Sequence, residues 1–278
     1  MARIQVFVTT VLFAALSVSA QNQTQAPSEA CTNAVVNIFT NPEVESCLAP
    51  AELVPLVTNG NASMPIIPPI NNWVTSMCSA TPCSNETLAT IVQNFTTGCR
   101  TELEQRIPGY SADTDPESVT FAVQAYYGSV RKVLCLQNGN TNCLTETLNI
   151  FETMEDDGTL TIADIPALLF RFSAGYGDQN PQGIPTNVTC STCSKAAYNT
   201  LEEDFPGIWG SENEGYKGMF TEVCGAEFVD GQDPEGVTQM TSDATTGGQD
   251  GEGNSASALY ASVGVYVALA IGGLLAAV

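Results

Sequence analysis

Ten cysteines, all lying between two apolar ends, constrain the fold of this 278-residue chain more than any other feature. An even number of cysteines in a secreted chain indicates a disulfide framework. Number and spacing alone leave the pairing open, because many connectivities satisfy the same count. The candidate cysteines are Cys31, Cys47, Cys78, Cys83, Cys99, Cys135, Cys143, Cys190, Cys193 and Cys224.

The N-terminal apolar segment predicts a secretory signal peptide. Arg3 gives a basic start, an apolar run follows over residues 4–18, and Ala20 ends a stretch of small residues. The run is too short to span a bilayer comfortably, and its flanks fit cleavage. We therefore expect residues 1–20 to be removed and the mature chain to enter the secretory pathway.

The C-terminal apolar segment predicts a GPI attachment signal. Residues 259–278 are apolar and no Lys or Arg follows them, which favours a removed tail over a retained transmembrane helix. Small residues precede the tail, and Asn254 is the predicted attachment residue, with Gly253 and Gly251 as alternatives. We expect residues 255–278 to be removed. The membrane is then a partner through the GPI lipid, at the extracellular face of the plasma membrane or in the cell wall.

Charge and sequons agree with export. The chain has 8 basic and 30 acidic residues, a net charge of −22, which repels phosphate backbones and argues against a nucleic-acid partner. Asn-x-Ser/Thr sequons mark N-glycosylation sites in a secreted chain, where a modified asparagine must lie on the surface. The candidates are Asn22, Asn61, Asn85, Asn94 and Asn187.

Helical periodicity dominates the body between the two ends. Apolar residues from Val119 to Leu134 follow the spacing of one helix face, after Asp115 as a predicted N-cap and Pro116 in the first turn. Ser84 is a second predicted N-cap, and Thr161 opens a capping box. We predict an all-α, disulfide-stabilised helical ectodomain over residues 21–229. The Gly-, Asp- and Thr-rich segment that follows predicts a flexible, disordered stalk over residues 230–254.

The absence of histidine removes most enzyme classes. Imidazole-dependent triads, histidine-containing zinc sites and axial haem histidines all need a residue that this chain lacks. A carboxylate pair of the glycosidase type remains, yet with 30 acids a close pair is expected by chance. We predict no catalytic residue, no cofactor and no metal, and keep a carboxylate-based glycosidase as the less favoured reading.

Cys190-Ser191-Thr192-Cys193 has the spacing of a redox or metal motif. A redox motif needs free thiols near a strand, and a zinc site needs a second pair of ligands. The surrounding sequence shows neither feature, so we favour structural disulfides from both cysteines to other partners.

Residues 153–164 form an acidic loop that partly matches an EF-hand. Glu155, Asp157 and Gly158 stand at the third, fifth and sixth loop positions. Thr153 replaces the first acidic ligand, and Asp164 replaces the long bidentate glutamate. An acidic turn between helices is therefore favoured over a calcium site.

Five cysteine-containing blocks resemble a family of fungal secreted, GPI-anchored proteins classed as a domain of unknown function. The resemblance covers most of residues 30–230 and implies a fungal cell-surface protein without implying an activity. The blocks are Cys31-Thr32-Asn33-Ala34, residues 76–83, Thr97-Gly98-Cys99, residues 130–136 and residues 188–196.

The segment Cys78-x4-Cys83-x15-Cys99 also resembles the middle of the elicitins, small helical proteins that carry sterols. Matched by cysteine order, the resemblance implies three disulfides: Cys31–Cys99, Cys47–Cys83 and Cys78–Cys135. It also implies an apolar cavity, for which Tyr126, Val130 and Phe95 are the candidate lining residues.

Two functions from different classes therefore stay open. The first is a non-catalytic glycoprotein of the cell surface or cell wall, with cell-wall glycans as a partner. The second is an extracellular sterol- or lipid-binding module with an apolar ligand.

Overall fold

The computed structural model describes residues 27–58, 61–106, 110–111, 114–155, 157–165, 167–168, 171, 183–206 and 216–240. The predicted signal peptide, Asn22, residues 241–254 of the predicted stalk and the C-terminal signal lie outside the described residues. So do the attachment candidates Asn254, Gly253 and Gly251. Over the described residues the chain is mostly helical, which confirms the predicted all-α, disulfide-stabilised class.

The helices and strands of the described residues follow in chain order. The first helices are α1 (Glu29–Phe39), α2 (Pro42–Leu48), α3 (Val54–Thr58), α4 (Ile67–Ser79), α5 (Asn85–Gly98), α6 (Arg100–Arg106) and α7 (Pro116–Leu134). Then come β1 (Leu136–Asn138), β2 (Thr141–Asn142), α8 (Cys143–Glu152), α9 (Thr186–Thr189), α10 (Thr192–Asp204), α11 (Tyr216–Cys224) and β3 (Val237–Gln239). Short 3₁₀ turns cover Pro50–Leu53, Ile162–Asp164 and Ala226–Val229.

The described chain forms two compact units. The first comprises described residues within 27–51 and 80–128, and the second comprises those within 52–79 and 129–240. Helix α7 belongs to the first unit up to Gly128 and to the second from Ser129.

The first unit is built on the packing of α1 against α5. Its core contains Cys31, Ala34, Val35 and Cys99, and Phe95 packs against these buried residues. The helices approach closely at Gly98, where an added Cβ would lie only 2.2 Å from the Cβ of Ala34. Real Cβ atoms do not come so near, so this crossing requires glycine.

Local caps start the helices of the first unit where the sequence predicts them. The side chain of Ser84 accepts a hydrogen bond from the backbone N–H of Thr87 at the start of α5. The carboxylate of Asp115 accepts from the backbone N–H groups of Glu117 and Ser118 at the start of α7. The bond from Glu117, followed by the Ser118 hydroxyl, holds the pKa of Asp115 below its ordinary value. Both predicted N-caps are confirmed.

The second unit combines helices with a small antiparallel sheet of order β2-β1-β3. Gln137 of β1 lies opposite Thr238 of β3. The sequence analysis predicted no strand, because two- and three-residue strands are too short to show an alternating pattern. The chain after Val229 also continues in the fold. Asn199 Nδ2 donates to the carbonyl of Gln232 at 3.0 Å, and the N–H of Met240 donates to the carbonyl of Cys135 at 2.7 Å.

The described fold therefore extends to Met240, eleven residues beyond the predicted end of the ectodomain at Val229. The segment 230–240 is polar in composition and gave no apolar signal. It is held by backbone hydrogen bonds to β1 and by the Asn199 side chain, and these contacts do not depend on its own hydrophobicity.

An aromatic cluster lies in the second unit. The rings of Phe220 and Phe228 stack with centroids 5.0 Å apart, and Tyr198 meets Phe220 edge-on at 5.3 Å. Burial, followed by the charge and hydrogen bond of Glu202, raises the pKa of Tyr198 to about 12. The tyrosine is therefore neutral at physiological pH and acts as a core side chain.

Candidate functional site: the disulfide framework and its sequons

All ten cysteines form disulfides, and none is free. The first unit contains Cys31–Cys99 and Cys47–Cys83. The second unit contains Cys78–Cys135, Cys143–Cys193 and Cys190–Cys224. The spacing had left the pairing open, and the first three bonds are the ones that the order of cysteines in elicitins implied.

The two disulfides of the first unit hold α5 at both of its ends. Cys83 precedes the helix and bonds to Cys47 of α2, while Cys99 caps its C-terminus and bonds to Cys31 of α1. Cys31 and Cys99 are each 1% exposed, so reagents in solvent do not reach this bond in the folded state. The framework is therefore structural.

The two cysteines of the Cys190-Ser191-Thr192-Cys193 motif bond to different partners. Cys190 bonds to Cys224 at the end of α11, and Cys193 bonds to Cys143 at the start of α8. The predicted structural pairing with other cysteines is confirmed. A dithiol of the redox type is not formed here, because each sulfur is already used in a separate bond.

Two carboxylates of the acidic loop, and that of Glu152 just before it, accept hydrogen bonds from the backbone of the loop. Glu152 accepts from the N–H of Leu160 at 3.1 Å, and Asp157 accepts from the N–H of Thr159 at 3.0 Å. Asp164 accepts from the N–H of Thr161 at 2.8 Å, so the predicted capping interaction is present. The carboxylates thus point to separate parts of the turn.

The described residues of this loop do not assemble a cation site. Among the described residues, no group of three Asp, Glu, His or Cys side chains is placed to hold a metal ion. Asp156, one residue of the loop, lies outside the described residues. The described geometry is that of an acidic turn before a 3₁₀ helix.

Four of the five predicted sequons fall within the described residues. Asn61 is exposed in the turn before α4, Asn85 is exposed at the first residue of α5, and Asn187 is exposed in α9. Asn94 is half-buried within α5, and its Nδ2 donates to the carbonyl of Thr90 at 3.0 Å. The sequence pattern treated these sequons alike, but their surroundings differ.

The three candidate cavity-lining residues occupy different surroundings. Phe95 packs against the core around the Cys31–Cys99 bond, and Tyr126 is 7% exposed. Val130 is half-buried and belongs to the second unit, whereas the other two belong to the first. Phe95 therefore serves the α1–α5 core.

Lysines of the second unit form ion pairs that the sequence analysis did not predict. Nζ of Lys132 lies 2.9 Å from Asp204, and Nζ of Lys195 lies 2.7 Å from Asp230. A longer pair, at 3.8 Å, joins Lys217 to Glu202. The partners are far apart in the sequence, and no helical spacing indicates the pairs.

The contact with Lys195 changes the pKa of the Asp230 carboxylate. The hydrogen bond from Lys195, followed by the backbone N–H of Gln232, holds the pKa of Asp230 below its ordinary value. Lys195 also donates to the carbonyl of Glu227 at 2.7 Å. The lysine of α10 thus fixes the chain on both sides of Val229.

Comparisons with protein-family models, with curated proteins and with solved structures found no match for this chain. The five disulfides are compatible with an extracellular location. Across the part of the chain that the structure describes, no helix has both the length and the hydropathy needed to cross a bilayer.

Proposed function

We propose that this chain is a non-catalytic, GPI-anchored glycoprotein of the cell surface or cell wall. The observation that carries the proposal is the complete pairing of the cysteines. Five disulfides in one chain persist in an oxidising compartment and are rare where glutathione keeps thiols reduced. The predicted signal peptide supplies the route to that compartment.

The exposed sequons support the glycoprotein part of the proposal. Asn61, Asn85 and Asn187 lie at the surface, where a bulky glycan fits without disturbing a core. The net charge of −22 adds to the solubility of such a body and disfavours polyanionic partners. Neutral cell-wall glycans remain a partner class that this surface admits.

The resemblance to fungal GPI-anchored proteins supports a fungal cell surface as the setting. Its blocks include Cys31, Cys99 and the Cys190 to Cys193 motif, all of which serve in the disulfide framework. The attachment residue is Asn254 in this proposal, with Gly253 and Gly251 as the alternatives.

Release from membranes by a phospholipase C specific for phosphatidylinositol tests the anchor. We expect the full chain, isolated in a membrane fraction, to move to the soluble fraction after treatment. The matched control is a chain that ends at Asn254 and therefore lacks the tail, which we expect in the medium without treatment. Retention of the full chain in the membrane after treatment would contradict the anchor.

A second candidate function is an extracellular sterol- or lipid-binding module. The observation in its favour is the set of bonds Cys31–Cys99, Cys47–Cys83 and Cys78–Cys135, which the resemblance to elicitins implied. Mass spectrometry of lipids that co-purify with the released ectodomain separates the two candidates. A stoichiometric sterol or acyl lipid supports the module, and an empty protein after incubation with membrane lipids rejects it.

A further inference from the structure

The four described sequons differ in the third residue, whose hydroxyl is part of what the glycosylating enzyme must read. In the sequon of Asn61 that residue is Ser63, which is exposed. In the other three sequons it is a buried threonine. These are Thr87 at 6% exposure, Thr96 at 4% and Thr189 at 3%.

Each buried threonine also uses its Oγ1 in a hydrogen bond within the fold. Oγ1 of Thr96 donates to the carbonyl of Val92 at 2.7 Å, and Oγ1 of Thr189 donates to the carbonyl of Pro185 at 3.1 Å. Oγ1 of Thr87 shares a hydrogen bond of 2.9 Å with the Ser84 hydroxyl that caps α5. The hydroxyls are therefore engaged in helix structure.

Helix geometry explains why asparagine and threonine are separated. Residues two apart on an α-helix point to different sides and do not face each other. Asn85 and Asn187 are exposed while Thr87 and Thr189 face the core, so no rigid placement of the helix presents both groups to one enzyme. Presenting both requires local unwinding of the helix.

Asn61 has the opposite arrangement. Its Oδ1 accepts from the N–H of Ser63 at 3.1 Å, and its carbonyl accepts from the N–H of Met64 at 3.0 Å, which makes a tight turn. The first of these bonds uses the side-chain oxygen and leaves the amide nitrogen as the group that takes a sugar. Asn61, Ala62 and Ser63 are all exposed.

Disulfides lie next to the three helical sequons and not next to Asn61. Only Ser84 lies between Cys83 and Asn85, and Cys190 follows Thr189 directly. Cys99 closes the helix that carries Asn94. Each of these cysteines is bonded to a distant partner, so closing the bond fixes the neighbouring helix. The flanking cysteines of Asn61 are Cys47 and Cys78, far along the chain.

We propose that, among the four described sequons, Asn61 is the one that the folded protein still presents for N-glycosylation, whereas Asn85, Asn94 and Asn187 accept a glycan only before their helices and disulfides form. The donor is an oligosaccharide linked through diphosphate to a lipid. The asparagine nitrogen forms a bond to the anomeric carbon, the bond from that carbon to the diphosphate oxygen breaks, and the amide gives one proton to a base. This inference rests on the proposed secretory route.

Transfer in vitro tests the inference without depending on that route. The full chain, made unglycosylated in a bacterial periplasm, is offered to a purified oligosaccharyltransferase in two forms, oxidised and folded or reduced, alkylated and unfolded. Occupancy of each sequon is then measured by mass spectrometry of glycopeptides. In the folded form we expect Asn61 to lead the other three by about tenfold or more, the ratio that a local opening free energy of about 1.4 kcal/mol gives. In the unfolded form we expect all four to be modified.

Two variants sharpen the result. Ser63→Ala removes the third-residue hydroxyl and should abolish transfer at Asn61 in both forms. The double variant Cys190→Ser with Cys224→Ser should raise occupancy at Asn187 in the oxidised form while Asn85 stays protected. Equal transfer to Asn61 and Asn85 on the folded chain would overturn the inference, as would a folded chain that takes no glycan at Asn61. Native protein devoid of glycans would instead contradict the proposed function.

Discussion

The two units of this protein are stabilised by different means. In the first unit, two disulfides and an apolar core surround a helix crossing so close that only glycine fits at Gly98. In the second, three disulfides are joined by a small sheet and by lysine–carboxylate pairs such as Lys195–Asp230. The comparison teaches that a close helix crossing is the distinctive feature of the first unit, whereas ion pairs add to the stability of the second. The units should therefore respond to different perturbations.

Loss of a disulfide should have the largest effect, and the size of the closed loop should order the losses from one bond of each unit. Replacing both Cys31 and Cys99 by alanine opens a sequence separation of 68, and we expect the free energy of unfolding to fall by about 2–5 kcal/mol. Replacing Cys190 and Cys224 opens a separation of 34, and the loss should be about 0.6 kcal/mol smaller. Urea unfolding measures both. A larger loss from the shorter loop would show that strain or packing outweighs chain entropy.

Overpacking of the α1–α5 crossing comes next. Gly98→Ala places a methyl group against Ala34, so we expect a loss of about 1–3 kcal/mol in the free energy of unfolding. Gly128→Ala in α7 is the matched control, because an added Cβ there meets nothing within 4 Å. That control should stabilise the protein by about 0.5–1 kcal/mol, the ordinary gain of alanine over glycine in a helix. Equal changes in stability from the two substitutions would contradict the conclusion that Gly98 is required by the close approach of α1 and α5.

Lowering the pH should reduce the stability of the fold through one carboxylate in each unit, and the two contributions should differ in their dependence on salt. Asp115 and Asp230 both have lowered pKa values in the folded state, so each stabilises the fold above the ordinary Asp pKa and loses that effect as pH falls through the lowered value. The pH window lies below about 4. The N–H of Glu117, followed by the Ser118 hydroxyl, lowers the pKa of Asp115, and both donors are neutral. The hydrogen bond from the charged Lys195 leads at Asp230, and an interaction with a charged group is screened by salt.

We therefore expect Asp230→Asn to flatten the fall in stability below pH ~4, and molar salt to shrink the difference from the original chain. Asp115→Asn should also flatten the profile, with less dependence on salt. Glu235→Gln, an exposed change in the same segment as Asp230, is the control for altered net charge. Urea midpoints measured against pH at low and high salt provide the readout. Identical salt dependence at the two positions would contradict the distinction.

Calcium should have the smallest effect of all. In the acidic loop of the second unit, Asp157 and Asp164 already accept backbone hydrogen bonds from Thr159 and Thr161. Glu152, just before the loop, accepts one from Leu160. Millimolar calcium should therefore give no heat in calorimetry beyond that of dilution. A saturable heat that disappears in Asp157→Asn would show that the loop rearranges to bind the ion.

The first unit was predictable from the sequence to a larger extent than the second. Ser84 and Asp115 act on their own backbone within three residues, so their capping roles follow from local pattern. The approach of Gly98 to Ala34 depends on how two helices cross, and periodicity within one helix does not contain that information. The Lys132–Asp204 pair spans 72 residues and has no local signal at all.

The candidate sites divide in the same way. The sequon pattern locates Asn61 and Asn94, but only the fold shows that one lies in an exposed turn and the other in a helix with a buried threonine. The cysteine count predicted disulfides, and spacing could not choose partners. Strand β3 was missed because only one of its three residues is apolar, which gives no alternating pattern. The strand is ordered by its pairing with β1.

The place of β3 in the sheet has a mechanical consequence. Tension applied to the chain beyond Met240, as from the proposed anchor, first peels β3 from β1 and then draws out the segment back to Cys224. There the bond to Cys190 stops further extension. Met240 is the sixteenth residue after Cys224, which limits the extracted length to about 55 Å at full extension. Drawing out this segment separates Phe228 from Phe220 and Asp230 from Lys195, whereas the Cys190–Cys224 bond stays closed and limits the extension.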